Sequence, residues 1–148
     1  MDCYLQPSLL CIFISWYSYS QSSGLGCKYN DTYIGCLCYA DDIILISHSV
    51  TVMQNLLVLC DVFSAKFDVR FNTTKSVAMR IGPRYDAVCA DLTLSGGIIQ
   101  YVQSLKYLGV CILYKQIERL YVILTMSKPN SIGPLTVFML KVLQETQN

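Results

Sequence analysis

The residues with the strongest claim to chemistry are two adjacent acids in "GCLCYADDIILIS", Gly35 to Ser47. Asp41 and Asp42 stand between two runs that prefer to leave water. Adjacent carboxylates repel, so keeping both charged costs free energy and raises one pKa. A hairpin that needs only a turn is made with less strain by Asn-Gly. A divalent cation removes the repulsion: oxygen ligands suit Mg²⁺, which commonly takes one or two carboxylates together with substrate phosphates. A hairpin tip held by two apolar strands is also a rigid mount for such ligands. The competing reading is structural, because Asp bonds its own backbone in turns and tolerates awkward dihedrals. On residue preference alone the turn is favoured, and two acids are only a fragment of a site.

Other reactive side chains give less. The eight cysteines (Cys3, Cys11, Cys27, Cys36, Cys38, Cys60, Cys89, Cys111) contain no C-x-x-C pair, and His48 is the single histidine. A zinc site, which needs ligands paired at short spacing, is not expected. Most of these cysteines lie inside apolar runs, where Cys behaves as a small hydrophobe. They are read as reduced thiols of an intracellular protein, with nucleus and cytoplasm not distinguished. Lys66, Arg70, Lys75, Arg80 and Arg84 crowd a short window in which Asp68 is the only acid. A nucleic-acid contact and a solvated basic face explain that window equally well.

The elements that must position the acids follow from periodicity. "TYIGCLCY" and "IILIS" are β-branched and aromatic, which predicts a hairpin reversing at Ala40-Asp41-Asp42. Upstream, "SLLCIFISWYSY" follows Gln6-Pro7-Ser8, a plausible helix start, and predicts a helix over residues 6–19, with a strand as the alternative. "SQSSGLG", Ser20 to Gly26, reads as a loop. Downstream, Met53, Leu56, Leu57, Cys60, Phe63, Ser64 and Phe67 recur at spacings of three and four. They predict an amphipathic core helix from about Val50 to Phe67, capped by Ser49 or Thr51. "VRFNTTKSVAMRIG" predicts strand, turn at Asn72-Thr73-Thr74, strand. "LTLSGGIIQYV" predicts a second hairpin around Gly96-Gly97, and "LKYLGVCILY" a further short strand. Beyond Tyr114 neither period persists, and Pro129 and Pro134 interrupt the apolar segments. A short helix near Thr136 to Gln144 is expected in an otherwise poorly packed tail. The order hairpin, helix, antiparallel strands predicts an α+β fold.

Composition bounds the class. The chain has 148 residues, 53% hydrophobic and 14% charged, with net charge +1 and a mean hydropathy of +0.43. Soluble domains usually carry about 25% charged residues. Such a chain is a membrane protein, a piece of a larger protein with an uncovered interface, or a sequence no longer selected for solubility. The continuous apolar runs "LLCIFISWY" and "IILIS" fall short of the roughly 20 residues of a spanning helix. The N-terminus "MDCYLQPSLL" has an acid where a signal peptide carries bases, so no membrane partner is expected.

With these elements in order, the sequence resembles a known family. "YADD" between two apolar strands resembles the Tyr-x-Asp-Asp hairpin of reverse transcriptases, closest to the non-LTR, LINE-like retrotransposon group in which "YADDI.L" is typical. "QPSLLCIFI" looks like a degraded form of the "LSPLLFNIYI" segment that precedes that hairpin. "NTTKS" resembles the Asn-x-x-Lys-Ser/Thr element after the next palm helix, and "LKYLGV" resembles the primer-grip strand. The likeness runs from about Gln6 to Val110 or Cys111. It implies a partial polymerase palm over residues 1–111, followed by a divergent tail at 112–148. It also implies an RNA template, a DNA primer and Mg²⁺ (or Mn²⁺), with two-metal phosphoryl transfer. By resemblance Asp41 binds the metals and Asp42 assists electrostatically. Tyr39 packs beneath the primer end and Lys75 lies near the departing pyrophosphate. Tyr107, Leu108 and Gly109 contact the primer strand.

The departures shape the expectation. The family's first catalytic Asp belongs to an earlier strand with no counterpart here, and Asp2 lies too close to the "QPS" segment to replace it. The fingers, the "QG" pair and a recognisable thumb are missing as well. The expectation is an incomplete site that binds metal weakly and does not polymerise alone, unless a chain acting in trans completes it. The alternative is a non-catalytic retroelement remnant that keeps the hairpin as structure or as an interaction surface.

Overall fold

The computed structural model describes residues 9–39, 42–82, 86–107, 109–113 and 137–145. Helix α1 (Leu9–Ser22) leads to a small hairpin, β1 (Lys28–Tyr29) and β2 (Thr32–Tyr33). Its turn residues Asn30 and Asp31 both take positive φ, 44° and 63°, a conformation that Asn and Asp tolerate better than most side chains. The acid-bearing hairpin follows: β3 (Cys36–Tyr39) pairs antiparallel with β4 (Asp42–Ser47). The expected helix over 6–19 is observed from Leu9, residues 6–8 lying outside the described ones. It runs on through Ser22, so only 23–26 of the expected loop 20–26 is non-helical.

Helix α2 (Val50–Phe67) has the expected bounds. Ser49 is its N-cap: the Ser49 hydroxyl accepts from the Val52 N–H at 3.1 Å, satisfying one of the helix's orphan donors. Asp68 closes it in the left-handed conformation. The stripe Met53, Leu56, Leu57, Cys60 and Phe63 is buried against the sheet and α1, while Val58 and Val62 on the other side stay half-exposed. By length and composition alone α2 could also cross a membrane, a property that inspection of continuous apolar runs overlooks. Trp16 of α1 binds the two helices together, its ring edge-on to Phe63 at 5.3 Å.

Next come β5 (Arg70–Ile81), β6 (Leu92–Leu94), β7 (Gly97–Tyr101), β8 (Ser104–Tyr107), β9 (Val110–Leu113) and β10 (Val137–Glu145). The main sheet runs β3-β4-β10-β5-β7-β6, and β8-β9 forms a separate two-stranded sheet. All its pairs are antiparallel except β5-β7, giving the α+β fold expected. Strand β4 divides its apolar run between two layers. Ile43 and Leu45 join the core beneath α1 and α2. Ile44 and Ile46 join a second cluster with Cys27, Met79, Ile81 and Leu105 of β8. A strand covered on both faces needs apolar residues at every position, which accounts for "IILI" in place of an alternating pattern.

Three expectations are corrected. Residues 70–81 form one strand, not strand-turn-strand. The bonds expected of a turn do form: Asn72 Oδ1 accepts from the Thr74 hydroxyl at 2.7 Å and from the Lys75 N–H at 3.0 Å, and the Ser76 hydroxyl donates to the Asn72 carbonyl. Pairing with β10 on either side turns this local reversal into a bulge, since Lys141 pairs with Val77 and Leu143 with Asn72. The segment "LKYLGVCILY" is a hairpin, not a single strand. Tyr107 pairs with Val110, and Gly109 adopts a φ of +76°, which a β-carbon disfavours. The short helix expected near Thr136 to Gln144 is strand β10. Its run "VFMLKVL" carries no period that separates a buried strand from a helix, and ladders on both edges decide it. The rest of the expected tail, with Pro129 and Pro134, lies outside the described residues.

Candidate active site: the acid-bearing hairpin

Tyr39 ends β3 and Asp42 begins β4, and the two are register partners. Ala40 and Asp41, between them in the chain, lie outside the described residues, and Asp42 belongs to the strand instead of the expected turn. On its other side Asp42 pairs with Leu143 of β10, and Leu143 in turn pairs with Asn72 of β5. Tyr39, Asp42, Leu143 and Asn72 thus form one row across four strands. Two interstrand spacings separate the Asp42 and Asn72 backbones, about 10 Å. Asp42 is half-buried in that row.

The row brings two of the sequence-identified elements to one end of the sheet. The bulge of residues 73–76 begins beside Asn72, so exposed Lys75 rides on it at the same end as Asp42. A bulge there re-aims a side chain that a regular strand would alternate into a face. Further along the same direction, Glu145 pairs with Arg70. The primer-grip residues are not part of this row. Half-buried Tyr107 packs on the second cluster, against the layer holding Ile44 and Ile46. Gly109 is exposed at the β8-β9 turn, and Leu108 lies outside the described residues.

Several features under the hairpin escape a reading of the sequence. Gly35 and Gly26 flank the buried ring of Tyr33. A β-carbon on Gly35 would stand 2.6 Å from the Tyr33 hydroxyl oxygen, so the glycine is required by close approach and not by its backbone angles. Burial pushes the Tyr33 hydroxyl pKa up to about 12. Cys36 and Cys38, two positions apart on β3, bring their sulfurs to 3.4 Å. The Cys36 sulfur also accepts the Trp16 indole N–H at 3.2 Å. The alternation of positions 36 and 38 in "CLCY" was the available signal, since residues two apart on a strand share a face. Elsewhere Gln54 of α2 exchanges two hydrogen bonds with the Thr93 backbone, and Asp61 accepts from Ser95. These bonds fasten the β6-β7 hairpin to the helix that underlies β4.

Among the described residues no group of three or more His, Cys, Asp or Glu side chains gathers closely enough to hold a metal. Asp42 is the one member of the acid pair in that set. Its carboxylate is a hard oxygen donor at a fixed strand position, which suits Mg²⁺ or Mn²⁺ better than a soft metal.

The family model described as reverse transcriptase (RNA-dependent DNA polymerase) matches residues 3–112. No curated protein and no solved structure matches the chain. The matched span contains the hairpin, α2, the β5 bulge and the β8-β9 turn, and it covers well over half of the 148 residues. The chain belongs to the reverse transcriptase (RNA-dependent DNA polymerase) family.

Proposed function

We propose that the chain is a palm element of a non-LTR, LINE-like reverse transcriptase, presenting Asp41 and Asp42 to two divalent cations at the primer end of an RNA-templated reaction. The observation that supports this reading is the row Tyr39-Asp42-Leu143-Asn72, which sets Asp42 and the Lys75 bulge at one end of one sheet. Asp41 in the reversal and Asp42 at the head of β4 would hold Mg²⁺ or Mn²⁺. When bound, the ions supply activation of the primer 3′-hydroxyl and charge neutralisation on the triphosphate. The Lys75 ammonium adds positive charge where pyrophosphate departs. Tyr39, the last residue before the reversal, supports the primer end, and Tyr107, Leu108 and Gly109 contact the primer strand.

Two carboxylates from one hairpin do not complete a two-metal site. The third, by resemblance, comes from a strand with no counterpart among these 148 residues. The chain by itself is therefore proposed not to polymerise, and a second polymerase chain acting in trans could supply what is missing. Primer extension on a poly(A)/oligo(dT) template with Mg²⁺ or Mn²⁺ tests this: no incorporation above background is expected. Incorporation that disappears in Asp41→Ala would overturn the claim of incompleteness while supporting the catalytic role.

The ladder on both sides of Asp42 favours a second reading, in which the hairpin serves only as structure. Titration with Mn²⁺ separates the two. Weak binding that Asp41→Asn abolishes supports the metal site; binding indifferent to that change leaves a structural turn.

A further inference from the structure

The thiol pair under the hairpin has no part in phosphoryl transfer. Cys36 and Cys38 lie on β3 directly before Tyr39, with their sulfurs 3.4 Å apart. Cys36 is 2% exposed, whereas Cys38 is half-buried and packs at the margin of the core. The pair is therefore asymmetric in burial, with Cys38 the less covered of the two. We infer that Cys36 and Cys38 form a peroxide-sensitive dithiol site that closes reversibly to a disulfide within strand β3.

Distance and chemistry both support closure. The sulfurs are already close, but residues two apart on a regular strand hold their α-carbons about 6.6 Å apart and, on one face, their β-carbons about as far, beyond the ~3.5–4.5 Å between β-carbons that a disulfide spans. Closure therefore bends β3, an edge strand of the sheet, and a disulfide that strains its backbone is the readily reduced kind. Hydrogen bonding from Cys36 lowers the Cys38 pKa, favouring the thiolate that attacks oxidants. The same bond and burial raise the Cys36 pKa, keeping that thiol protonated as the donor.

The reaction balances with hydrogen peroxide as oxidant. The Cys38 thiolate attacks one peroxide oxygen: an S–O bond forms, the O–O bond breaks, and the departing hydroxide takes a proton from solvent to become water. The Cys36 sulfur then attacks the Cys38 sulfenic acid. An S–S bond forms, the S–O bond breaks, and a second water leaves with the Cys36 proton. Two thiols and one peroxide give one disulfide and two waters.

The structure contains its own reporter. Trp16 is the single tryptophan, and its indole N–H rests on the Cys36 sulfur at 3.2 Å. Converting that sulfur from thiol to disulfide changes the group in contact with the indole. The full chain is treated with hydrogen peroxide, then read by intact mass, by alkylation in denaturant, by peptide mapping and by Trp16 emission. The expected product weighs two hydrogens less, with alkylatable thiols falling from eight to six, a Cys36–Cys38 link in the peptide map, and a loss of Trp16 emission that dithiothreitol reverses. Cys38→Ser should abolish the emission change, and Cys111→Ser, at an exposed cysteine, should preserve it. A stable sulfinic acid at Cys38, a link from either cysteine to buried Cys60, or unchanged emission would each overturn the inference. The peptide map of the unmodified sequence decides the matter even where a variant fails to fold.

Discussion

Gly35 is the first residue of the hairpin segment, and substituting it tests how tightly the acid pair is anchored. A β-carbon there would stand 2.6 Å from the Tyr33 hydroxyl oxygen and 2.7 Å from the ring atoms Cε2 and Cζ. The ring has little room to withdraw. It is 3% exposed, meets the edge of Tyr17 at a centroid distance of 5.6 Å, and lies 3.0 Å from where a Gly26 β-carbon would sit. Overpacking of this kind costs about 1–3 kcal/mol. Because Gly35 does not use positive φ, Gly35→Ala also gains about 0.4–1 kcal/mol from a less flexible unfolded chain. A net loss of about 1.3 kcal/mol is expected, the difference between the middle values of those two effects. Urea unfolding followed by circular dichroism measures it. The cause is isolated by repeating the substitution in a Tyr33→Leu background, where no ring meets the new methyl. There Gly35→Ala should be neutral or stabilising, giving a coupling of at least about 1 kcal/mol. Equal costs in both backgrounds, within about 0.5 kcal/mol, would refute the argument from close approach.

The same structure makes other quantities measurable. Ser49→Ala removes the α2 cap and should lower stability by about 1 kcal/mol by denaturant unfolding, whereas Thr51→Ala should change it little. Leu140 pairs with Leu45 on one side and Ala78 on the other. Leu140→Pro removes a donor from the middle of the sheet, and loss of cooperative melting is expected in calorimetry. The Tyr33 pKa is pushed up to about 12 from 10.0, first by burial. A neutral hydroxyl held folded beyond its unfolded pKa gives stability that is complete below pH 10 and is lost as pH rises from 10 towards 12. Tyr33→Phe should flatten the alkaline limb of a stability-pH profile, and an unchanged limb would contradict this.

What could be read from sequence divides by the range of the interactions involved. Helix α2 was legible to its ends because its stripe and its Ser49 cap are local. The acid hairpin was legible because the apolar runs on either side end at the acids. The Asn72 element was half legible: its side chain makes the short bonds of a turn, but a partner strand far along the chain keeps the backbone extended. Strand β10 was the clearest failure, because only ladders to β4 and β5 distinguish it from a helix. Motifs singled out the Asp pair, Lys75 and Tyr107 to Gly109 as candidates, and the structure sets Asp42 and Lys75 at one end of the sheet. The alignment of Asp42 with Asn72 depends on β10 and could not be found from motifs. The Asn30-Asp31 turn and the Cys36-Cys38 spacing carried local signals that the reading passed over.

The position of β10 also fixes the order in which this protein can mature. During synthesis β4 and β5 emerge long before the strand that joins them, each with an apolar edge and open backbone groups. Such edges invite pairing with any other extended chain. The β3-β4 hairpin, α2 and the β6-β7 hairpin can form on the ribosome, but the sheet cannot close until residue 145 has been made. The dangerous interval is therefore the time between translation of β5 and release of β10. A ribosome paused between them would hold a chain suited to chaperone capture or to aggregation, and faster elongation through residues 82–136 would shorten that exposure.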